Sequence, residues 1–521
     1  MELELLPFYV ACFLLAVFSY HLLGLLADRR RNLPPGPAPL PLVGNLLSLG
    51  AHPHRSLARL AERHGPVMTL RLGTVTTVVA SSADAAREFL QRHDAACSGR
   101  FLFDGTHAFA HYAHSMVWLP ASSPRWRALR KVCSGELFAP HRLDTHHLLR
   151  RDKVRELVSH VSRLAREGEP VRVGRLAFTT ALNLLSSTFF SADLAGLDDG
   201  GVAAPPSSSS SCDEEQEFKG ILAELNVTVG LPNLSDFYPE IARLDPQGLR
   251  RRIEGLFRRL HAMVNDQIER RLRQRAAGEP AKKNFVDVLL DYRGAEDGRG
   301  FERQTLLSLF SVHLSFFIHR GGSHLGGKYS TVEWAMAELL LNPSCMAKAR
   351  DELSQVLGAK PEVEESDIAQ LKYLQAVVKE TFRLHPPAPF LLPHLADATT
   401  QVRGYTVPRG ARILVNVWAI GRDAQAWPEP EKFMPERFLL AEKEVDFRGR
   451  DFELLPFGAG RRMCPGMPLA VRMVHFMLAS LLHGFRWSLP AHVQKNGLDM
   501  DERLGLNLSM ATPLQAIATP V

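Results

Sequence analysis

The sequence predicts a mainly α-helical protein with small β-sheets, folded as a single large domain behind an N-terminal membrane anchor. Three observations carry this reading. Residues 5–26 form an uncharged, apolar run that Arg29, Arg30 and Arg31 follow almost at once. Helical periodicity dominates residues 124–275 and returns in blocks up to residue 483. Runs of strand character are confined to residues 67–80 and 402–415, each interrupted by a glycine-containing turn.

Taken in order, the apolar run has 22 residues and reaches ~33 Å as a helix, enough for a bilayer core. Arginines just beyond such a span hold that side in the cytoplasm. A cleaved signal would carry its positive charge before the run, but Glu2 and Glu4 stand there instead. Residues 1–32 therefore read as a retained, single-pass anchor with its basic stop, the rest of the chain being cytoplasmic. Residues 33–45, with five prolines, cannot be helix and form a stiff hinge or a plain linker. The remaining domain, 46–521, begins with a helix over 57–64, strands over 67–73 and 75–80, and a helix over 83–92. Residues 193–217 carry Gly200-Gly201, Pro205-Pro206 and Ser207 to Ser211, the composition of a flexible surface loop. Further helices fit 331–341, 344–357, 368–384 and 467–483. No internal repeat is visible.

Hydrophobic residues make up 45% of 521, so a large core is available. The net charge of +6 is spread along the chain. A nucleic-acid binder concentrates such charge, so no nucleic-acid partner is expected. The excess suits an ordinary surface, or a face that meets anionic lipid or an acidic partner. Six cysteines are scattered with no CxxC pair. That argues against zinc and disulfide frameworks and for a reducing compartment.

One cysteine differs by its neighbours. Phe457-Gly-Ala-Gly-Arg-Arg-Met-Cys464-Pro-Gly466 has the pattern F-x-x-G-x-R-x-C-x-G. Gly458 and Gly460 allow turns that bring backbone N–H groups towards the sulfur. Arg462 supplies a cation suited to a cofactor carboxylate. Cys464 precedes a helix N-terminus, which favours the thiolate. A lone cysteine of this kind points to an axial metal ligand, and thiolate ligation of haem favours O–O cleavage. Glu380 and Arg383 share a helix face at i,i+3. As an exposed pair they would contribute only ~0.3 kcal/mol. Trp126 and Arg130, at i,i+4, also face one way, and both are N–H donors. The bland reading of that pair is a packed Trp beside a solvated Arg.

Together these motifs resemble the cytochrome P450 family across almost the whole chain. Lys379-Glu-Thr-Phe-Arg383 is similar to its E-x-x-R, and Phe433-Met-Pro-Glu-Arg-Phe438 to its P-E-R-F segment. The resemblance implies the P450 fold, haem b with Cys464 as iron ligand, and a buried ion network of Glu380, Arg383 and Arg437. It implies that Trp126 and Arg130 grip the haem propionates. His394 matches a further propionate donor, with an ordinary loop histidine as the equal alternative. It further implies electrons from NADPH through NADPH–cytochrome P450 reductase, and residence at the endoplasmic reticulum membrane in contact with lipid. Leu33-Pro-Pro-Gly-Pro37, Pro386-Pro-Ala-Pro-Phe390 and residues 415–423 resemble plant microsomal P450s of the geraniol-hydroxylase-like group, which oxidise terpenoids and other small lipophilic molecules.

The chain departs from that pattern in one place. The family's central helix carries an acid–threonine pair before a T-V-E-W-like stretch. Here Thr331-Val-Glu-Trp334 is intact, but residues 312–330 hold no such pair and are longer by about two turns. Gly321, Gly322, Gly326 and Gly327 each cost ~1 kcal/mol in a helix, so a break or bulge is expected near them, with helix resuming near Ser330 or Thr331. A variant proton relay through water, Ser323 or a histidine, a loss of efficient monooxygenation, and an error in the inferred gene sequence all remain open. The intact flanks favour the last. The catalytic oxygen-activating residues therefore stay unassigned. The main expectation is a monooxygenase acting on a terpenoid-like substrate. Its rivals are an isomerase- or dehydratase-like P450 and an inactive haem-binding protein.

Overall fold

The computed structural model describes residue 19 and residues 31–193, 196–197, 210–280, 284–294, 298–317, 330–440, 444–505 and 507–521. All of the expected anchor over 5–26 except residue 19, most of the 193–217 loop and the expected helix break near Gly321–Gly327 lie outside these residues. Among the described residues, one helix is long and apolar enough to cross a bilayer, Met467–Gly484, and most of it is packed inside the protein.

A five-stranded sheet forms one side of the molecule. Its strands are β1 (Val67–Leu72), β2 (Val75–Ala80), β3 (Gly99–Arg100), β4 (His394–Leu395) and β5 (Arg412–Val415), in spatial order β1-β2-β5-β4-β3. β1 and β2 form an antiparallel hairpin, as their alternating Val, Thr and Leu residues require. The β2–β5 pairing is parallel, and the β5–β4 and β4–β3 pairings are antiparallel. The proline-rich segment is seated along this sheet: Thr69 N donates to Pro35 O at 2.9 Å and Asn45 N to Arg71 O at 2.6 Å. A Cβ on Gly36 would stand 1.9 Å from Thr69 O, so only glycine allows that approach.

The helices that build the site are α1 (Pro124–Val132), α2 (Leu249–Ala276), α3 (Arg303–Phe317), α4 (Ser330–Leu341), α5 (Lys372–Leu384) and α6 (Met467–Gly484). Pro124 opens α1 and Pro468 lies in the first turn of α6, where their missing N–H groups would have no helical partner anyway. α4 packs on α5 and α6. Its Val332, Trp334, Ala335, Met336 and Ala337 are all fully buried, and this apolar surface on all sides, broken only by the buried Glu333, explains why α4 lies in the centre of the core.

Two helices differ from the sequence reading. The helix expected over 368–384 begins only at Lys372, because a separate 3-10 turn, Glu365–Ala369, precedes it. Asp367 accepts the Glu364 backbone N–H there and closes a capping box, which ends one element and separates the next. A helix Ser210–Val229 covers the end of the segment expected to be a loop. Phe218, Ile221, Leu222 and Leu225 recur at helical spacing and are buried, so packing outweighs the loop-like composition just before them.

Candidate functional site

Cys464 lies between a 3-10 turn, Gly460–Arg462, and the first turn of α6. Gly458 and Gly460 both take positive φ, +70° and +66°. A Cβ at Gly460 would stand 2.2 Å from Leu90 O, so this loop needs glycine for space as well as for its backbone angle. The Cys464 N–H donates to Phe457 O at 3.0 Å and closes the loop. Burial pushes the Cys464 thiol up, while the backbone N–H groups of Gly466 and Met467 and the Arg130 charge pull it down. Cys97 and Cys133 are buried too, and burial pushes both up to about 12. Two N–H donors at the sulfur distinguish Cys464, and they are the arrangement that stabilises a metal-bound thiolate.

Cys464 borders a cavity of about 340 Å³ that Trp126, Arg130, His394 and Arg462 also line. The five residues chosen from separate parts of the sequence thus meet at one space. The rest of the wall is largely apolar and includes Met116, Val117, Val312, Phe382 and Leu391.

Arg100 joins them and was missed by the sequence reading. It lies on β3 directly across from His394 on β4 and lines the same cavity. Arg100 Nη1 donates to Leu392 O at 2.7 Å, but its buried Nε has no hydrogen-bond partner among the described residues. Burial and the nearby Arg462 push its guanidinium down to about 9. The one sequence signal was a single arginine in the otherwise uncharged stretch 95–103. His394 Nδ1 donates to Cys97 O at 2.8 Å, Nε2 has no partner among the described residues, and burial holds this imidazole well below its ordinary pKa.

Arg462 does more than present a charge. Its Nε and Nη2 donate to Ser98 O at 2.8 Å and Leu119 O at 2.6 Å, and its guanidinium lies 5.1 Å from the Trp126 ring centroid. It therefore ties the 98–119 segment to the cysteine loop. Burial lowers Arg130 and brings Arg462 down to about 10. Arg100 and Arg130 make no ion pair among the described residues. Three buried or half-buried cations and a guanidinium N–H left without a partner among the described residues, around one apolar cavity, call for a ligand with at least two negative charges. A haem with two propionates fits that set, and Cys464 stands where a single thiolate ligand is available.

Glu380 and Arg383 of α5 form a bidentate pair at 2.7 and 2.8 Å, and Arg437 Nε adds a contact to Glu380 at 3.0 Å. Glu380 and Arg383 are completely inaccessible, so this is not the weak exposed pair that the spacing alone allows. Arg383 also donates to Gly421 O, Pro430 O and Lys432 O, and Glu380 accepts from Met434 N at 2.8 Å. The network fastens the 421–437 segment to α5. Phe382, on the same helix, reaches the cavity wall.

Val312 and His313 of α3 and Thr331 of α4 complete another part of the wall. Helix resumes at Ser330.

The Cytochrome P450 family model matches residues 34–514. Among curated relatives, geraniol 8-hydroxylase of Swertia mussotii is 44% identical over 98% of both chains. Geraniol 8-hydroxylase of Catharanthus roseus is 44% identical over 97% of both. Ferruginol synthase of Isodon rubescens is 39% identical over 99% of both. A family match over nearly the whole length, on a fold that gathers Cys464 and its cationic neighbours at one cavity, shows that the chain belongs to the cytochrome P450 family and is a P450 monooxygenase.

Proposed function

We propose that the protein hydroxylates a small, lipophilic, terpenoid-like substrate with O2, taking electrons from NADPH through NADPH–cytochrome P450 reductase at the endoplasmic reticulum membrane. The observation that carries the reading is the convergence of Cys464, Arg100, Arg130 and His394 on a cavity whose remaining wall is mostly apolar. When bound, haem b supplies the iron centre at which O2 is activated. Cys464 holds that iron through its sulfur, with the Gly466 and Met467 N–H groups turned to it. Arg100, Arg130 and Trp126 would hold the propionates by donating to them, His394 Nε2 would join by sharing a proton with a carboxyl group, and Arg462 steadies this wall. Met116, Val117, Val312 and Leu391 exclude water and accept a hydrocarbon skeleton. The printed names of the geraniol hydroxylase and ferruginol synthase relatives support the terpenoid class.

A second reading rests on the missing acid–threonine pair in residues 312–330. An isomerase- or dehydratase-like enzyme, or an inactive haem-binding protein, needs no such pair. Turnover of geraniol by the full chain with reductase separates these readings. Product that requires both O2 and NADPH supports the monooxygenase. Product without O2 supports the isomerase or dehydratase. No product from a haem-loaded protein supports the inactive form.

A further inference from the structure

His313 is a buried imidazole in the wall of the haem cavity, in α3 between Val312 and residue 314. Its Nδ1 lies 2.8 Å from Leu309 O, one turn back on the same helix. A carbonyl oxygen only accepts, so Nδ1 carries the ring proton and Nε2 bears a bare lone pair. The ring is held by Phe138, stacked at a centroid distance of 5.9 Å, and by Phe189, edge-on at 6.0 Å. It cannot turn over to exchange its two nitrogens without losing the Leu309 bond. Nε2 has no partner among the described residues, nor is it sealed away by protein. Burial keeps the ring below its ordinary pKa, so it stays neutral near pH 7.

The other polar groups at this wall behave differently. Arg100, Arg130 and His394 belong to the cofactor's carboxylates in the reading above. Thr331 and Asn507 carry a hydroxyl and an amide, each of which can both donate and accept. Neutral His394 also turns a bare Nε2 to the cavity, but beside the cations Arg100 and Arg462; of the groups away from those cations, His313 offers the fixed, one-way acceptor. An acceptor of that kind distinguishes an O–H from an ether, a carbonyl or a plain hydrocarbon.

We propose that His313 Nε2 is a specificity-determining acceptor that selects apolar substrates bearing one hydroxyl, by taking a hydrogen bond from that O–H and so orienting the carbon skeleton. This deepens the proposed terpenoid hydroxylation and rests on it for the skeleton, but not for the hydroxyl. Substrates of this class are products of a reaction that leaves a free alcohol on a hydrocarbon chain.

The test titrates the haem-loaded full chain and follows the substrate-induced spin-state change. The probes are geraniol, its methyl ether and the matching hydrocarbon, with decanol, methyl decyl ether and decane as a straight-chain set. The wild type should bind each alcohol about tenfold more tightly than its ether or hydrocarbon. His313→Leu, close in volume, should remove that preference and leave hydrocarbon binding unchanged. His313→Gln should restore alcohol binding through its side-chain carbonyl and relax the rejection of ethers through its N–H. An unaltered thiolate-type carbon monoxide spectrum in each variant shows that fold and haem are intact. Selective loss of the alcohol preference in His313→Leu supports the proposal. An alcohol preference that survives in His313→Leu overturns it, as does a wild type with no preference in either set. A nitrogen-ligated ferric spectrum that His313→Leu abolishes also overturns it, since Nε2 would then be spent on iron. Preference in the decanol set with no binding of geraniol leaves His313 as the selector and refutes the terpenoid skeleton instead.

Discussion

Arg100 and His394 face each other across two short antiparallel strands, and both reach the cavity that Cys464 borders. Each uses one polar atom to bind a neighbouring backbone carbonyl, Leu392 O at 2.7 Å and Cys97 O at 2.8 Å. Each is thereby fixed in place with another nitrogen unspent. Arg100 is the donor of the two; His394, with its Nδ1 proton on Cys97 O, meets an anion at Nε2 only where a proton lies between them.

Replacing Arg100 by Leu should therefore loosen haem. A charge-assisted hydrogen bond contributes about 1.5–3 kcal/mol, so haem loss to an acceptor such as apomyoglobin should quicken by roughly tenfold to a hundredfold. The double variant Arg100→Leu, His394→Leu should lose it faster still. Haem release at the wild-type rate from Arg100→Leu would exclude this residue from the cofactor's grip.

Glu380→Gln leaves Arg383 and Arg437 facing each other without their shared carboxylate. Breaking one partner out of a buried ion network costs about 3–5 kcal/mol, and the 421–437 segment should detach from α5. The variant should accumulate as apoprotein with a lowered melting temperature. A melting temperature within a degree or so of wild type would show that the network is dispensable.

Acid should weaken the protein before its carboxylates titrate. His111 is buried with neither ring nitrogen hydrogen-bonded among the described residues, and burial together with His261 and His114 pushes it down to about 3. Burial pushes His261 down to about 4. In the unfolded chain both titrate near 6.5. Below about pH 6.5 the unfolded state binds protons that the folded state refuses, so stability is full above that pH and declines as pH falls towards 4 and 3. Each histidine contributes a slope of about 1.4 kcal/mol per pH unit in that window. Glu502, lowered to about 2 despite its burial by His54, Arg422 and Arg55, adds a separate loss that begins only below the ordinary 4.5. Thermal melts between about pH 7.5 and 5 should show the histidine slope, to which His394 and the other buried histidines add, and His111→Phe, which keeps the packing against Phe257, should reduce it by about 1.4 kcal/mol per pH unit. A flat profile over that range in the wild type would contradict the buried neutral pair.

The cysteine loop was legible because its ten residues contain both the ligand and the glycines that shape its surroundings. The spacing of Glu380 and Arg383 was legible too, but not their complete burial. That depends on backbone carbonyls of Gly421, Pro430 and Lys432, which no local pattern reports. Arg100 escaped because its meaning lies in pairing with a strand far along the chain. His313 lies in the stretch that departs from the family pattern, and only Leu309 O and the two phenylalanines give it a defined tautomer and direction. The early start of helix Ser210–Val229 shows the reverse case, where serine-rich composition suggested a loop and a buried apolar stripe outweighed it.

The stretch 312–330 should limit turnover rather than haem binding. A positioned proton donor typically contributes about a hundredfold or more to rate, and the family's acid–threonine pair is missing here. The chain as written should release much of its electron supply as peroxide or superoxide. Replacing residues 314–330 with a shorter segment containing Asp-Thr, with Val312 and His313 kept, should raise product formed per NADPH by at least about tenfold. Equal coupling in the two proteins would show that another group already delivers the protons.

The assignment of Cys464 as the iron ligand is tested most directly by the carbon monoxide difference spectrum of the reduced protein. The wild type should give the band of a thiolate-ligated haem. Cys464→Ser should abolish it, while Cys97→Ser and Cys133→Ser, both at buried thiols pushed up to about 12, should retain it. A thiolate-type band that persists unchanged in Cys464→Ser would contradict the account.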